Sequence, residues 1–230
     1  MQDTTRLAAF RALLSPAERE RNARFVFARH RHADLLTRAL VRTTLSRYHP
    51  SVAPADWQFE SGPFGRPEIV APQPEPDPPF VTFNLAHTDG AIVCAVSAGH
   101  EIGVDVEDTT RVGLSGIEIA DRYFSPAEAA ELRALPRTAQ VSRFFDYWTL
   151  KESYIKARGL GLQLPLDGFT FAVAAGQPIR IAFAPSVPDD PASWQFEQWS
   201  LTDRHRLALA IRRRDEPDLA VRTWPSALDA

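Results

Sequence analysis

Lysine is nearly missing from this chain. Of 26 Lys and Arg residues only two are lysine, Lys151 and Lys156, and both fall in the stretch WTLKESYIKARGLGL between Trp148 and Leu162. Cysteine is scarcer still. The single Cys94 excludes an intrachain disulfide and any cysteine-cluster metal site. It lies in AIVCAV, an apolar run that reads as a buried strand, where a thiol serves as a small hydrophobic filler. So little cysteine fits a cytoplasmic protein. No apolar run comes near the roughly 18 residues a membrane span needs. The opening MQDTTRLAAFRALL has no long apolar core of a secretory signal. A net charge of −3 gives no overall pull toward nucleic acid, and no known DNA-binding motif is present.

What is there is arginine, unevenly placed. Residues 19–47 hold Arg19, Arg21, Arg24, Arg29, Arg31, Arg38, Arg42 and Arg47 against only Glu20 and Asp34. Such a segment suits an anionic ligand; the plainer reading is a solvated helical face. The 230 residues suffice for one large domain or two small ones. A chain of this size buries roughly 70–75% of its unfolded surface, so its core needs no covalent staples.

Two echoes suggest an internal repeat. Ser15-Pro16-Ala17-Glu18 returns as Ser125-Pro126-Ala127-Glu128, 110 residues on. Each offers a serine cap, proline in the first turn and glutamate to close a capping box. Thr88-Asp89 and Thr202-Asp203, each just before an apolar run, lie 114 apart. The chain therefore divides near residues 98–103 into halves 1–98 and 99–230. Each half reads as a capped helix, a long apolar-periodic helix (Leu35, Leu36, Leu40, Val41 and Leu45 in the first; Val141, Phe144, Phe145, Trp148 and Ile155 in the second) and then strands. Strands are expected at VTFNLA, AIVCAVS, EIGVDVE, GFTFAVA, IRIAFA, QFEQWSL and RLALAIR. The first two form a hairpin with His87–Gly90 at its tip. Residues 71–79 and 184–192 are proline-rich loops. The fold class is α+β: two pseudo-symmetric α/β halves, each a small sheet packed with a long helix. The first half departs from symmetry, because MQDTTRLAAFRALL looks helical where a strand mirroring EIGVDVE belongs. It reads as trimmed, or its start as displaced.

Chemistry-bearing residues gather in three places. In EIGVDVE alternation sends Val104 and Val106 to one face and Asp105 and Glu107 to the other, the two carboxylates roughly 6.6 Å apart by strand rise. Such a pair is either solvated or held by a cation, and Mg²⁺ suits it because it takes oxygen ligands and shares its shell with phosphates. On the helix after Val141, Trp148, Glu152 and Lys156 share one stripe. A Glu–Lys pair at this spacing is commonly a surface ornament of about 0.2–0.5 kcal/mol; here its bulky aromatic neighbours argue for burial. His87 at the hairpin tip and the turn Gly65-Arg66-Pro67 could meet phosphate or could simply be exposed.

In order, FNLAHT (83–88), IGVDVE (102–107) and WTLKES (148–153) with Lys156 resemble the 4'-phosphopantetheinyl transferases, specifically the large two-half type that activates surfactin synthetase. The pattern G-[IV]-D-[IV]-E followed by W-x-x-K-E-[AS]-x-x-K is specific, and the resemblance spans nearly the whole chain. It implies transfer of the phosphopantetheine arm of coenzyme A to a serine of an apo carrier protein, acyl or peptidyl, with release of 3',5'-ADP. It implies Mg²⁺ on Asp105, Glu107 and Glu152, with Glu152 or a water as base and Lys156 against the phosphates. It implies coenzyme A contacts from Arg21, Arg66, Pro67 and His87, and a monomer, since one chain supplies both halves of a site at their interface. Ala86 stands where that type has serine, and Arg66 where it has lysine. Lys151 belongs to the motif without a distinct chemical role. Two other readings remain open: another Mg²⁺-dependent phosphoester enzyme built on the same D-x-E, and an arginine-rich nucleic-acid-binding module.

Overall fold

Two serine-capped helices lay out the chain. The structure, a computed structural model, describes residues 4–62, 64–72, 81–111, 115–225 and 228. The first half runs α1 (Thr4–Leu13), α2 (Pro16–Arg24), α3 (Ala28–Tyr48), β1 (Gln58–Ser61), β2 (Pro67–Ala71), β3 (Val81–Thr88) and β4 (Ala91–Ala98). The second runs β5 (Ile102–Asp108), α4 (Ser115–Tyr123), α5 (Pro126–Ala134), α6 (Arg137–Arg158), β6 (Phe169–Ala172), β7 (Arg180–Phe183), β8 (Trp194–Thr202) and β9 (His205–Arg212). Both capping boxes form. Glu18 N–H donates to the Ser15 hydroxyl at 3.2 Å and Ser15 N–H to the Glu18 carboxylate at 2.9 Å. The same pair of bonds joins Ser125 and Glu128 at 3.4 and 2.9 Å. The N-terminal segment is helical, as its sequence suggests.

The seven expected strands are all present. Two more, β1 and β2, were not expected. They are short, largely exposed and interrupted by the glycines and proline of their turn, so they carry no clear alternation. Most of the proline-rich segment 71–79 lies outside the described residues. β3 and β4 pair antiparallel from Val81–Ala98 to Thr88–Ala91. β5, β9 and β8 form an antiparallel sheet in that order. Val104, Val106, Leu209 and Ile211 of that sheet share one core cluster with Ala86 and Ala91 of the hairpin, which joins the halves. Asn84 pins the joint: its side-chain oxygen accepts from Val104 N–H at 3.0 Å. Cys94 is partly buried behind α3, and burial pushes its thiol up to about 12.

The repeat continues below the surface. Glu128 and Lys151 form an ion pair at 2.8 Å with both side chains 0% exposed. Lys151 Nζ also donates to Leu166 O and Phe169 O, each at 2.7 Å. Three ammonium hydrogens thus meet three acceptors, and the Phe169 ring lies 4.4 Å away. In the first half Arg42 does the same work. Its guanidinium reaches Glu18 at 2.6 Å and Trp57 O at 2.7 Å and lies 5.2 Å from the Phe59 ring. In each half the capping glutamate, a buried cation from the long helix and the loop before the first small strand form one knot. A buried cation is tolerated only when paired and hydrogen-bonded; Lys151 is satisfied at all three hydrogens, while Arg42 leaves its Nε without a partner. This gives Lys151 the role its spacing could not: it locks α6 to α5 and to the approach to β6.

Candidate functional site

β5 presents two faces, as alternation requires. Val104 and Val106 turn into the shared core, while Gly103, Asp105 and Glu107 fall on the face covered by α6. That face is largely covered: Asp105 is 5% exposed, while Glu107, Glu152 and Lys156 at its edge are partly exposed. Gly103 makes the closure feasible. A Cβ there would sit 2.0 Å from Ser153 O and 2.3 Å from Ala157 N, so only glycine lets the α6 backbone come so near. Sequence reasoning gave Gly103 no role of its own, although alternation places it on the face of both carboxylates.

The close approach brings the α6 stripe onto the β5 carboxylates. Trp148 Nε1 donates to Glu107 Oε1 at 3.3 Å. Two turns on, Lys156 Nζ meets Asp105 Oδ1 at 2.6 Å. Glu152 lies between them on the helix. The solvated surface pair is therefore excluded on both elements. Burial raises the proton affinity of Asp105, and the Lys156 ammonium only partly opposes it. Burial, then the Asp105 charge, raise that of Glu107. Glu152 is pushed up to about 7, first by burial and then by Asp105, with Glu107 adding to it and Lys156 opposing. The Asp105 charge thus raises both glutamates, and the single Lys156 ammonium only partly opposes it, which a bound cation would relieve.

Oxygen donors of this kind fit a divalent ion. Asp105 Oδ2 is buried with no hydrogen-bond partner, the unsatisfied atom a metal would engage. Among the described residues no group of three or more His, Cys, Asp or Glu is already gathered as a metal cage. Mg²⁺ does not require one, since it commonly takes one or two carboxylates and completes its shell with water and phosphate.

An open cleft of ≈ 1790 Å³ runs from α1–α3 across the β3–β4 turn to the end of β5. Arg21, Arg38, His87, Asp108, Arg111 and Arg204 are among its lining residues; Asp105, Glu107, Glu152 and Lys156 are not. His87 lies on the last turnward stretch of β3 and is exposed. Arg21 pairs with Asp34 at 2.7 Å and is 52% exposed at its side chain. Arg111 and Arg204 belong to no motif, and nothing in their spacing marked them. Arg66 and Pro67 are not among the cleft's lining residues. The Arg66 guanidinium donates to Lys156 O and Phe83 O, both at 3.2 Å.

Two family models match the chain: "4'-phosphopantetheinyl transferase superfamily" over residues 101–211 and "4'-phosphopantetheinyl transferase, N-terminal" over residues 3–99. The 4'-phosphopantetheinyl transferase Sfp of Bacillus subtilis is 31% identical over 91% of this chain and 87% of its own length. The chain belongs to the 4'-phosphopantetheinyl transferase superfamily. It is also similar to the 4'-phosphopantetheinyl transferase HetI of Nostoc, at 33% identity over 82% of this chain and 80% of that protein. The L-aminoadipate-semialdehyde dehydrogenase-phosphopantetheinyl transferase of Mus musculus is 28% identical over 91% of this chain and 70% of its own length.

Proposed function

We propose that this protein transfers the 4'-phosphopantetheine arm of coenzyme A to a serine of an apo carrier protein, acyl or peptidyl, in a Mg²⁺-dependent reaction that releases 3',5'-ADP. One observation carries the reading: within this family's motif, α6 packs on β5 so that Lys156 meets Asp105, Trp148 meets Glu107 and the Glu152 carboxyl feels the charge of both carboxylates. Asp105, Glu107 and Glu152 would hold Mg²⁺, which when bound polarises the diphosphate and neutralises its charge. The cleft-lining Arg21 and His87 would contact coenzyme A phosphates. Residues 1–98 would supply the nucleotide contacts and 99–230 the acidic set.

Phosphoryl transfer asks mainly for positioning and charge stabilisation. Glu152, by its placement between Trp148 and Lys156 on the stripe that faces β5, would accept the serine hydroxyl proton directly or through a water. The serine oxygen bonds to the pantetheine-side phosphorus as the bond to the nucleotide phosphate breaks. Lys156 lies within reach to leave Asp105 for the departing phosphate, a compact point charge where a planar guanidinium would crowd. The chain acts as a cytoplasmic monomer in this reading. Among the described residues no helix is long and apolar enough to cross a membrane.

The nucleic-acid reading loses support from the arginines themselves. Arg42 is buried on Glu18, Arg24 pairs with Glu20, Arg21 and Arg38 with Asp34, and Arg31 donates to Phe25 O and Val26 O. With Arg38 and Arg42 largely buried, the arginines do not form a continuous exposed stripe. The deciding test is the intact mass of an apo carrier protein after incubation with this protein, coenzyme A and Mg²⁺. A gain of one phosphopantetheine, lost with EDTA and with Glu152→Gln, supports the proposal. No gain with acyl and peptidyl carriers, together with no binding of coenzyme A, refutes it.

A further inference from the structure

Arg66 sits in the turn between β1 and β2, where Gly62 N–H donates to its carbonyl at 2.8 Å. Its guanidinium is half-buried and its partners are all backbone. Nη1 donates to Lys156 O at 3.2 Å, with Ala157 O a longer contact at 3.5 Å, and Nη2 donates to Phe83 O at 3.2 Å. Lys156 and Ala157 lie in the last turn of α6, where final carbonyls depend on partners beyond the helix; Lys156 O also accepts from the capping Gly159 N–H at 3.2 Å. A cation there also complements the negative end of the helix dipole. Gly159 closes the helix in the left-handed region, φ 65, and a Cβ on it would sit 3.7 Å from Arg66 Nη1.

These bonds complete a circuit around the acidic site. Phe83 and Asn84 are adjacent on β3; Asn84 holds β5 through Val104 N–H, β5 carries Asp105, Asp105 holds Lys156, and the carbonyl of Lys156 returns to Arg66 and Phe83. We propose that Arg66 is a positioning residue: its guanidinium ties the last turn of α6 to β3 and so fixes Lys156 and Glu152 over Asp105 and Glu107. Arginine suits this role because its planar fork sends separate N–H groups in two directions, to a helix end and to a strand. An ammonium is one point and cannot span both. The tie also couples the first half of the chain to the catalytic helix of the second. This inference rests on the proposed transferase reading for what the positioning achieves, although the tie itself does not.

The test compares the full-length wild type with Arg66→Ala and Arg66→Lys. Coenzyme A affinity is read by calorimetry, kcat and KM by transfer to an apo carrier protein, and backbone amide exchange across 155–160 by mass spectrometry. A positioning role lowers kcat by about 10- to 100-fold in both variants. It leaves the Kd and KM for coenzyme A within about threefold and speeds exchange in the last turn of α6 by about tenfold. Arg66→Lys then tracks Arg66→Ala despite its kept charge. The proposal is overturned if exchange is unchanged, or if Arg66→Ala weakens coenzyme A binding by about tenfold or more while Arg66→Lys restores it, which is the signature of a phosphate ligand. Should Arg66→Ala fail to fold, Arg66→Lys decides by the same readouts. A wild type that transfers nothing refutes the transferase reading alone; exchange and coenzyme A affinity still decide the role of Arg66.

Discussion

Replacing Glu152 with glutamine should make the metal-free protein more stable at pH 8 and leave it little changed at pH 5. Burial and the charges of Asp105 and Glu107 raise the Glu152 carboxyl from 4.5 to about 7 in the folded state. Between those two values the folded protein holds a proton that the unfolded chain has lost. Stability therefore falls as pH rises through that window, by about 1.4 kcal/mol for each pH unit crossed, and stays lowered above it. Across the whole window the loss amounts to about 3 kcal/mol, and partial exposure of the side chain reduces that to about 2–3 kcal/mol. Glutamine keeps the shape and removes the charge. At roughly 2–4 °C per kcal/mol for a chain of this size, Glu152→Gln should melt about 4–12 °C above wild type at pH 8 in EDTA. Thermal melts of both proteins from pH 5 to 8 isolate the effect as a difference, so titrations common to both cancel. A second arm adds Mg²⁺ at pH 8, which should raise the wild-type midpoint more than that of the variant. A gap between the proteins that does not grow from pH 5 to pH 8, or a variant less stable than wild type at pH 8, would refute the claim that Glu152 is held at an electrostatic cost.

Lys151→Met should destabilise the protein by about 3–5 kcal/mol, because it leaves the buried Glu128 carboxylate without its cation; chemical denaturation measures it, and a loss under about 1 kcal/mol would mean that the ion pair is not what locks α6. The matching change in the first half, Arg42→Met, should cost a similar amount through Glu18, and a far smaller loss would break the equivalence of the two knots. Gly103→Ala places a methyl group 2.0 Å from Ser153 O, which must push α6 off β5. Transfer activity and the Trp148 fluorescence environment should both change, and an alanine variant with wild-type kcat would show that the close approach is dispensable.

Much of this protein is legible in the sequence. Capping boxes are local chemistry, so Ser15 and Ser125 marked two helix starts without any tertiary knowledge. Alternation in a strand is equally local, which is why Asp105 and Glu107 fell on a common face and seven of the nine strands were found. β1 and β2 escaped because neither shows a clear alternation of buried and exposed positions, whereas the equally short β6 and β7 lie in markedly apolar runs. The helical stripe Trp148, Glu152, Lys156 was likewise fixed by 3.6-residue geometry. What that stripe faces was not.

Spacing put two carboxylates on one face but left that face either solvated or buried. Packing of α6 on β5, allowed by the missing Cβ of Gly103, decided for burial and thereby set the proton affinity of Glu152. The pairing of Lys151 with Glu128 and of Arg42 with Glu18 spans 23 and 24 residues of chain and several elements, beyond the reach of any periodicity. The gathering of Arg111 and Arg204 beside His87 and the bonds of Arg66 to carbonyls of α6 and β3 follow from how the two halves meet. The sequence by itself determined which groups this protein has and which local surface each shares. Their depth, charge partners and common site were decided only when distant segments packed, because desolvation and Coulomb energy depend on distances in space, not along the chain.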